Sequence, residues 1–147
     1  MKRFVFPLEQ IRSWHATRLQ LEEAEMEAIV DRQRRTEAAY ADICAQRSEF
    51  AQQTLHQMLI ESSEFARIEQ FRVYAVKEGR RLLTAQAAFA QEVAVRRGRI
   101  IELKRKIELL NRLKEHQHNT WSAEEAKELQ AAADEAFLQK LAAKRMV

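Results

Sequence analysis

The feature that most constrains this chain is the near absence of residues that make turns. It has two glycines and one proline among 147 residues, where average usage predicts roughly eighteen. Sheets, phosphate-binding loops and catalytic loops all need tight turns, and glycine and proline are the usual residues there. The rest of the composition, 46% apolar and 32% charged, is typical of long helices. The sequence therefore predicts an all-α protein.

Two stretches of the chain repeat apolar residues at steps of three and four, as the seam of a coiled coil does. The first extends from Leu8 to Phe50 and includes Ile11, and its inward positions also include four polar residues: Glu22, Gln33, Thr36 and Arg47. The second begins near Phe65 and continues to Leu113. Because polar seam residues weaken a coiled coil, we expect a pairing less stable than a leucine zipper.

The sequence Glu61-Ser62-Ser63-Glu64 separates the two stretches, and either serine can cap a new helix. A turn at about residues 62–64 gives a first helix over about residues 8–61 and a second over about residues 65–118, each about 80 Å long. Because the two arms then match in length, we favour an antiparallel two-helix coiled coil, a helical hairpin, over a parallel dimer of continuous helices.

Folding at that turn also predicts a register. The numbers of facing residues add to about 124 in this arrangement, at 1.5 Å of rise per residue in both arms. Phe50 is then expected near Tyr74, Ile43 near Arg81, and Ile11 near Leu113.

The sequence predicts a further helical segment over residues 122–145. Ser122 and Glu125 have the spacing of a capping box, and the alanine-rich stripe that follows has three large members: Leu129, Phe137 and Leu141. Because residue 116 already faces Leu8 in the predicted register, we expect this segment to overhang the hairpin. The sequence leaves open whether the second helix kinks before Ser122 or continues through it.

No group of residues has the pattern of an active site. His116 and His118 are two positions apart, so they face different directions on a helix and no carboxylate completes a metal shell. A two-helix coiled coil also has no cleft that would raise the pKa of a carboxyl group. Cys44 is the only cysteine, which excludes an intrachain disulfide and suits a reducing cytoplasm. We expect no enzyme activity, no cofactor, no metal and no small-molecule substrate.

Positive charge is concentrated in the middle of the sequence. The formal charge is only +3, but residues 62–121 contain 13 basic and 7 acidic groups. Six of the basic residues form one run: Arg96, Arg97, Arg99, Lys104, Arg105 and Lys106. The order of basic run and heptads is similar to that of a basic leucine zipper, but the run has no asparagine to read a base edge. We expect either a charged face that pairs with acidic groups of the first helix or a basic docking patch for an acidic protein, and no nucleic acid.

Several motifs resemble those of the FliJ family of flagellar export proteins. The opening resembles the family's first motif: Phe4-x-Phe6-x-Leu8, then Ile11, Arg12 and Leu21-Glu22-Glu23-Ala24. The end resembles its Lys/Glu-rich tail: Leu113-Lys114-Glu115, Trp121, Glu124-Glu125-Ala126 and Asp134-Glu135. Glu69-Gln70-Phe71, soon after the turn, also fits. The resemblance covers essentially the whole chain.

The resemblance implies a coiled coil shaped like the stalk of rotary ATPases, at the pore of the hexameric flagellar export ATPase. Such proteins promote assembly of the ATPase ring and ATP hydrolysis, contact the membrane export gate and bind export chaperones. They are cytoplasmic and peripheral at the inner face of the cell membrane. The equivalent stalk protein of a virulence type III secretion injectisome is one alternative, and a basic, dimeric helical nucleic-acid binder is an alternative from another class.

The resemblance also implies two contact surfaces. The gate-contacting surface of the family lies at the start of the second helix, which here means Phe71, Ala75, Glu78 and Leu82. The same residues suit the hairpin seam equally well. The ATPase-facing end of the family corresponds here to Phe4, Phe6, Leu8 and Trp121, with Leu129, Phe137 and Leu141 of the overhanging segment.

Overall fold

The structure is a computed structural model that describes residues 2–56 and 61–146. It contains two long α-helices packed against each other: α1, Glu9–His56, of 48 residues, and α2, Ser62–Arg145, of 84 residues. The described part of the chain has no strand. The predicted all-α fold is therefore confirmed.

The helix boundaries differ in places from the predicted ones. Residues 57–60, at the predicted end of the first helix, lie outside the described residues, and Glu61 is not helical. The predicted turn at residues 62–64 instead belongs to the first turn of α2, where the Glu61 carbonyl accepts a hydrogen bond from the Phe65 amide at 3.0 Å. α2 also continues unbroken to Arg145, so Ser122 lies inside it and does not begin a separate helix.

Contacts divide the chain into two compact units. The inner unit comprises Gln20–Ile101, and the terminal unit comprises the residues up to Leu19 together with those from Glu102 onward. Each unit contains a segment of α1 and a segment of α2.

In the inner unit the two segments run antiparallel around a small core. Its buried members are Ile43, Ala75 and Leu82, flanked by the partly buried Ala39, Tyr40 and Phe71. The ring of Phe50 lies 4.7 Å from that of Phe71, three positions before the predicted partner Tyr74. The predicted register is wrong here by about one helical turn, because the connection between the helices comes before Ser62 and not after it.

The polar seam positions of the inner unit behave largely as the heptad pattern predicts. Glu22 is buried, and Gln33 and Thr36 are half-buried. Arg47, by contrast, is exposed, as is Phe65 at the beginning of the second stretch. These two positions were predicted to face inward and do not.

In the terminal unit the helices are also antiparallel, and the register is close to the predicted one. Lys114 Nζ lies 3.2 Å from Glu9 Oε2, and Arg12 Nη1 donates to the side-chain oxygen of Asn111 at 3.3 Å. Arg12 and Lys114 are half-buried, whereas Ile11 is exposed. Leu113 is exposed too. Ile11 and Leu113 therefore lie close to the predicted register, between the pairs Glu9–Lys114 and Arg12–Asn111, but neither side chain is part of a buried seam.

Candidate docking surfaces

The segment before α1, residues 2–8, packs on α2 through aromatic side chains. Trp121 Nε1 donates a hydrogen bond to the Lys2 carbonyl at 3.1 Å. The Phe4 ring lies 5.9 Å from Trp121 and 5.1 Å from His118, edge to face. Phe6 is buried, and its carbonyl accepts a hydrogen bond from the Glu9 amide at 3.2 Å, which leads the chain into the helix. The structure thus brings Phe4 together with Trp121 and His118 in the terminal unit, and Phe6 is buried two residues further along the chain.

His118 is a member of this aromatic cluster that sequence reasoning missed. Its ring lies 5.8 Å from Trp121, so it contacts both large rings of the cluster. From the sequence, His118 was a candidate only as a metal ligand. The sequence did contain a signal for this contact: His118 lies three residues before Trp121, and residues three apart on a helix share a face.

Glu9, the first residue of α1, joins the two helices of the terminal unit through charge. It accepts hydrogen bonds from Arg12, with Nε at 3.1 Å, and from Lys114. The hydrogen bonds from Arg12, and then those from Lys114, outweigh the opposing effect of desolvation and lower the pKa of Glu9 to about 2. The carboxylate therefore stays charged at every pH near neutrality.

The last part of α2 presents its side chains to solvent on all sides. Every described residue from Ala126 to Met146 is exposed; we call residues 126–146 the tail. The three predicted anchors are 67% (Leu129), 64% (Phe137) and 43% (Leu141) exposed. Leu138, which the sequence analysis did not single out, is 63% exposed. Large apolar side chains left in water are typical of interaction sites.

The predicted gate-contacting stripe lies mostly between the helices. Ala75 is fully buried and Leu82 is 5% exposed, so these two side chains form the hairpin seam and present no surface to a partner. Phe71 is half-buried against the same core. The structure therefore favours the seam alternative for Ala75 and Leu82, for the physical reason that each helix has only one partner helix over which to bury them.

An exposed edge remains beside that seam. The Tyr74 ring lies 6.5 Å from Phe71 and is exposed. Glu78 Oε2 accepts a hydrogen bond from Arg81 Nε at 3.0 Å, which lowers the pKa of Glu78. Phe71, Tyr74, Glu78 and Arg81 follow one another at steps of three and four along α2, so they share one edge of the helix.

The basic run has different environments in the two units. In the inner unit, Arg96 Nη1 lies 3.1 Å from Glu22 Oε2 and also contacts Glu25. Arg99 Nη1 lies 4.0 Å from Glu22. Desolvation lowers the pKa of Arg96, but the hydrogen bond and charge of Glu25, and then those of Glu22, give a net increase. Arg96 and Arg99 thus pair with acidic groups of α1, as one of the two sequence expectations proposed.

The remaining basic side chains lie closer to solvent. Arg97 of the inner unit is exposed, as are Lys104 and Arg105 of the terminal unit. Lys106 Nζ lies 3.9 Å from Glu102 one helical turn away, a surface pair that contributes little stability. These cations are the members of the run that a partner can reach.

Neither a membrane-spanning helix nor a metal-binding cluster is found among the described residues. Within residues 2–56 and 61–146, neither helix has a stretch that is both long and apolar enough to cross a membrane. The same part of the chain has no group of three His, Cys, Asp or Glu side chains that could hold a metal ion. Comparison with protein-family models, with curated proteins and with solved structures finds no match to this chain.

Proposed function

We propose that this protein is a non-enzymatic, stalk-like component of the flagellar type III export apparatus. The observation that carries the proposal is the exposed tail, with its large apolar side chains, on the same unit as the aromatic cluster of the opening motif. The motif resemblance supplies the partner: the hexameric export ATPase. In this proposal the tail extends past the helix pair and engages the ATPase ring, which hydrolyses ATP itself.

The energetics of the tail favour a binding role. An isolated helix of about 20 residues is marginally stable in water, and the tail has no packed neighbour that would stabilise it. Burying one Leu or Phe side chain is worth about 1.5–3 kcal/mol. Docking of Leu129, Phe137 and Leu141 into a groove would therefore both order the tail and hold the complex together, as in other helix-in-groove interactions.

Turnover by the purified export ATPase of the same organism tests this proposal. A chain that ends at Ser122 should lose stimulation of ring assembly and ATP hydrolysis, and so should the double variant Leu129→Glu/Leu141→Glu. The control is Ala131→Glu/Ala142→Glu, which adds the same charge on the other side of the helix and should keep stimulation. Full stimulation by the truncated chain would move the contact to the helix pair or to residues 2–8.

We place the proposed export-gate contact on the exposed edge formed by Phe71, Tyr74 and Glu78. A partner can reach Tyr74 and the outer part of Phe71, whereas Ala75 and Leu82 contribute by holding the two helices together. Aromatic residues are common anchors of protein interfaces. The edge is also next to the beginning of α2, where the resemblance puts the gate contact.

A binding assay with the purified cytoplasmic part of the gate protein distinguishes residues that contact the gate from residues that only hold the two helices together. Tyr74→Ser and Glu78→Gln should weaken binding and leave the melting temperature nearly unchanged, because Tyr74 is exposed and ion pairs within one helix such as Glu78–Arg81 contribute little to stability. Leu82→Ala is the matched seam variant and should cost about 2–5 kcal/mol of stability while folded molecules still bind. Normal binding by both surface variants would exclude this edge.

The exposed cations Arg97, Lys104 and Arg105 are assigned in this proposal to acidic surfaces of export chaperones or of the ATPase. The position at the cytoplasmic face of the membrane follows from these partners. Duplex nucleic acid is the competing ligand for a basic surface, and its binding would fall steeply with salt. The contacts of Arg96 and Arg99 with α1 reduce the positive charge that this surface can offer to phosphates.

A further inference from the structure

The exposed row of the tail has a pattern that suits a second helix like itself. Leu129, Ala133, Phe137 and Leu141 follow at steps of four, and all are exposed. The row has three large side chains and one small one, and the small Ala133 lies as far from one end of the row as the large Phe137 lies from the other. Its midpoint is residue 135, so a second copy running in the opposite direction meets the same row in reverse.

Charge in this region is segregated along the helix in the same symmetric way. Among residues 124–145, the acidic Glu124, Glu125 and Glu128 come before Leu129, and Asp134 and Glu135 lie at the midpoint of the row. Three of its four basic residues come at the end: Lys140, Lys144 and Arg145. Glu125 and Glu128 lie within about one turn of Leu129, and Lys140 and Lys144 within about one turn of Leu141.

We propose that the tails of two copies of this chain pair antiparallel along this row. Leu129 then packs on Leu141 of the partner subunit, and Ala133 packs on Phe137 of the partner subunit. The acidic part of each tail lies beside the basic part of the other. This proposal does not depend on the export function, because it uses only the tail's own residues.

The observations favour a second copy over an unrelated protein as the occupant. An arbitrary partner needs its own matching row and charges, whereas an isologous pair requires only that one surface complement itself. A parallel pair would put acidic against acidic and basic against basic residues, which destabilises helix pairs. The antiparallel pair instead places Glu124, Glu125 and Glu128 beside the basic end of the other copy, and it fills the space above each alanine with an aromatic ring.

Sedimentation of the full chain without any other protein tests the pairing. The background variant is Cys44→Ser, since Cys44 is exposed and could join copies by a disulfide. This chain should form dimers as its concentration rises from low micromolar to submillimolar, and added salt should weaken them. A chain that stays monomeric over this whole concentration range would mean that the row binds a different protein, and it would overturn the proposal.

Charge reversal locates the contact. Glu124→Lys/Glu125→Lys/Glu128→Lys makes both ends of residues 124–145 basic, and Lys140→Glu/Lys144→Glu/Arg145→Glu makes the second end acidic like the first; each alone should raise the dissociation constant at least about tenfold. An equimolar mixture of the two should dimerise again. The control Glu27→Lys/Glu37→Lys/Glu49→Lys makes the same charge change at exposed positions of α1 and should still dimerise. Dimerisation of both tail variants when each is alone, or loss of dimerisation in the control variant, would contradict tail pairing.

Spin labels determine the orientation. With Gln130→Cys in one copy and Gln139→Cys in the other, an antiparallel pair gives a shorter distance than two labels at position 130 or two at position 139. A parallel pair gives the opposite order, which would overturn the proposed arrangement.

Discussion

Arg96 shows how one polar residue at an inward position can select a pairing. Its side chain is 19% exposed, and that of Glu22 is 11% exposed, so both charges have lost most of their water. Such a pair adds little net stability compared with apolar residues, because desolvation offsets the attraction. Its effect is on specificity: a register that puts neither Arg96 nor Arg99 opposite Glu22 leaves the buried carboxylate without a cation.

We predict that Arg96→Ala lowers the melting temperature far more than Arg112→Ala. Arg112 pairs with Glu108 at the surface, where both side chains are more than half exposed, so its loss should change little. The double variant Glu22→Leu/Arg96→Leu should recover most of the stability, since it removes both buried charges. Circular dichroism melts of the four chains measure this, and equal effects of the two alanine variants would show that Arg96 acts as a surface residue.

A second residue-scale prediction concerns acid. Because the pKa of Glu9 is lowered from 4.5 to about 2 by Arg12 and Lys114, its contribution to stability is fully present above pH 4.5. It disappears as the pH falls from 4.5 to about 2. Urea midpoints measured across this range should fall less steeply for Glu9→Gln than for the unmodified chain. Parallel curves would mean that Glu9 keeps an ordinary pKa in solution.

At the scale of elements, the two helices owe their continuity to composition more than to caps. Ser122 and Glu125 match a capping box, yet the helix passes through them, because the alanine-rich sequence on the far side favours helix as strongly as the sequence before it. Neither glycine has a positive φ, so both lie in α2 as ordinary helical residues.

We therefore predict that Gly98→Ala stabilises the protein by about 1 kcal/mol. A Cβ atom added at Gly98 meets no other atom within 4 Å, so the change acts only on helix propensity. Ala94→Gly, at an exposed position one turn earlier, is the reverse control and should destabilise by a similar amount. Urea unfolding measures both changes, and a loss of stability in Gly98→Ala would point to a role for the missing side chain.

The sequence predicted the inward positions of each helix better than the alignment between helices. Burial of Glu22 and Ile43 depends only on position along one helix, which the heptad spacing records. The register depends on where the first helix ends and the second begins, and the sequence between His56 and Ser62 contains neither glycine nor proline. A shift of these boundaries by a few residues was enough to exchange Tyr74 for Phe71 as the partner of Phe50.

At the scale of the whole molecule, the chain keeps a large surface in water. Its accessible area is 12174 Å², against about 7800 Å² expected for a compact protein of this mass. In the part of the chain that the structure describes, no large side chain is completely buried. This explains why sequence reasoning could not separate seam from docking surface: Leu82 and Phe65 are both large apolar residues on α2, and only the packed structure shows that the first is buried and the second exposed.

Calorimetry should detect this large surface as a small heat capacity change of unfolding. An average protein of this length has a change of about 2 kcal/mol/K, and unfolding here exposes about three quarters of the usual area, so we predict about 1.5 kcal/mol/K. Measurement at low concentration keeps association from contributing. A value at or above the average would indicate that the chain buries more surface in solution than the helix pair alone.

The exposed tail also determines where proteases cleave the protein most readily. Local opening of a helix without packed neighbours costs far less than opening the paired helices, and the tail offers Lys127, Lys140 and Lys144 to a trypsin-like enzyme. Cleavage after Lys127 removes Leu129, Phe137 and Leu141 and leaves the paired helices intact. A partner bound to the tail, as proposed above, would shield the same peptide bonds, so the rate of tail cleavage would report whether the tail is bound.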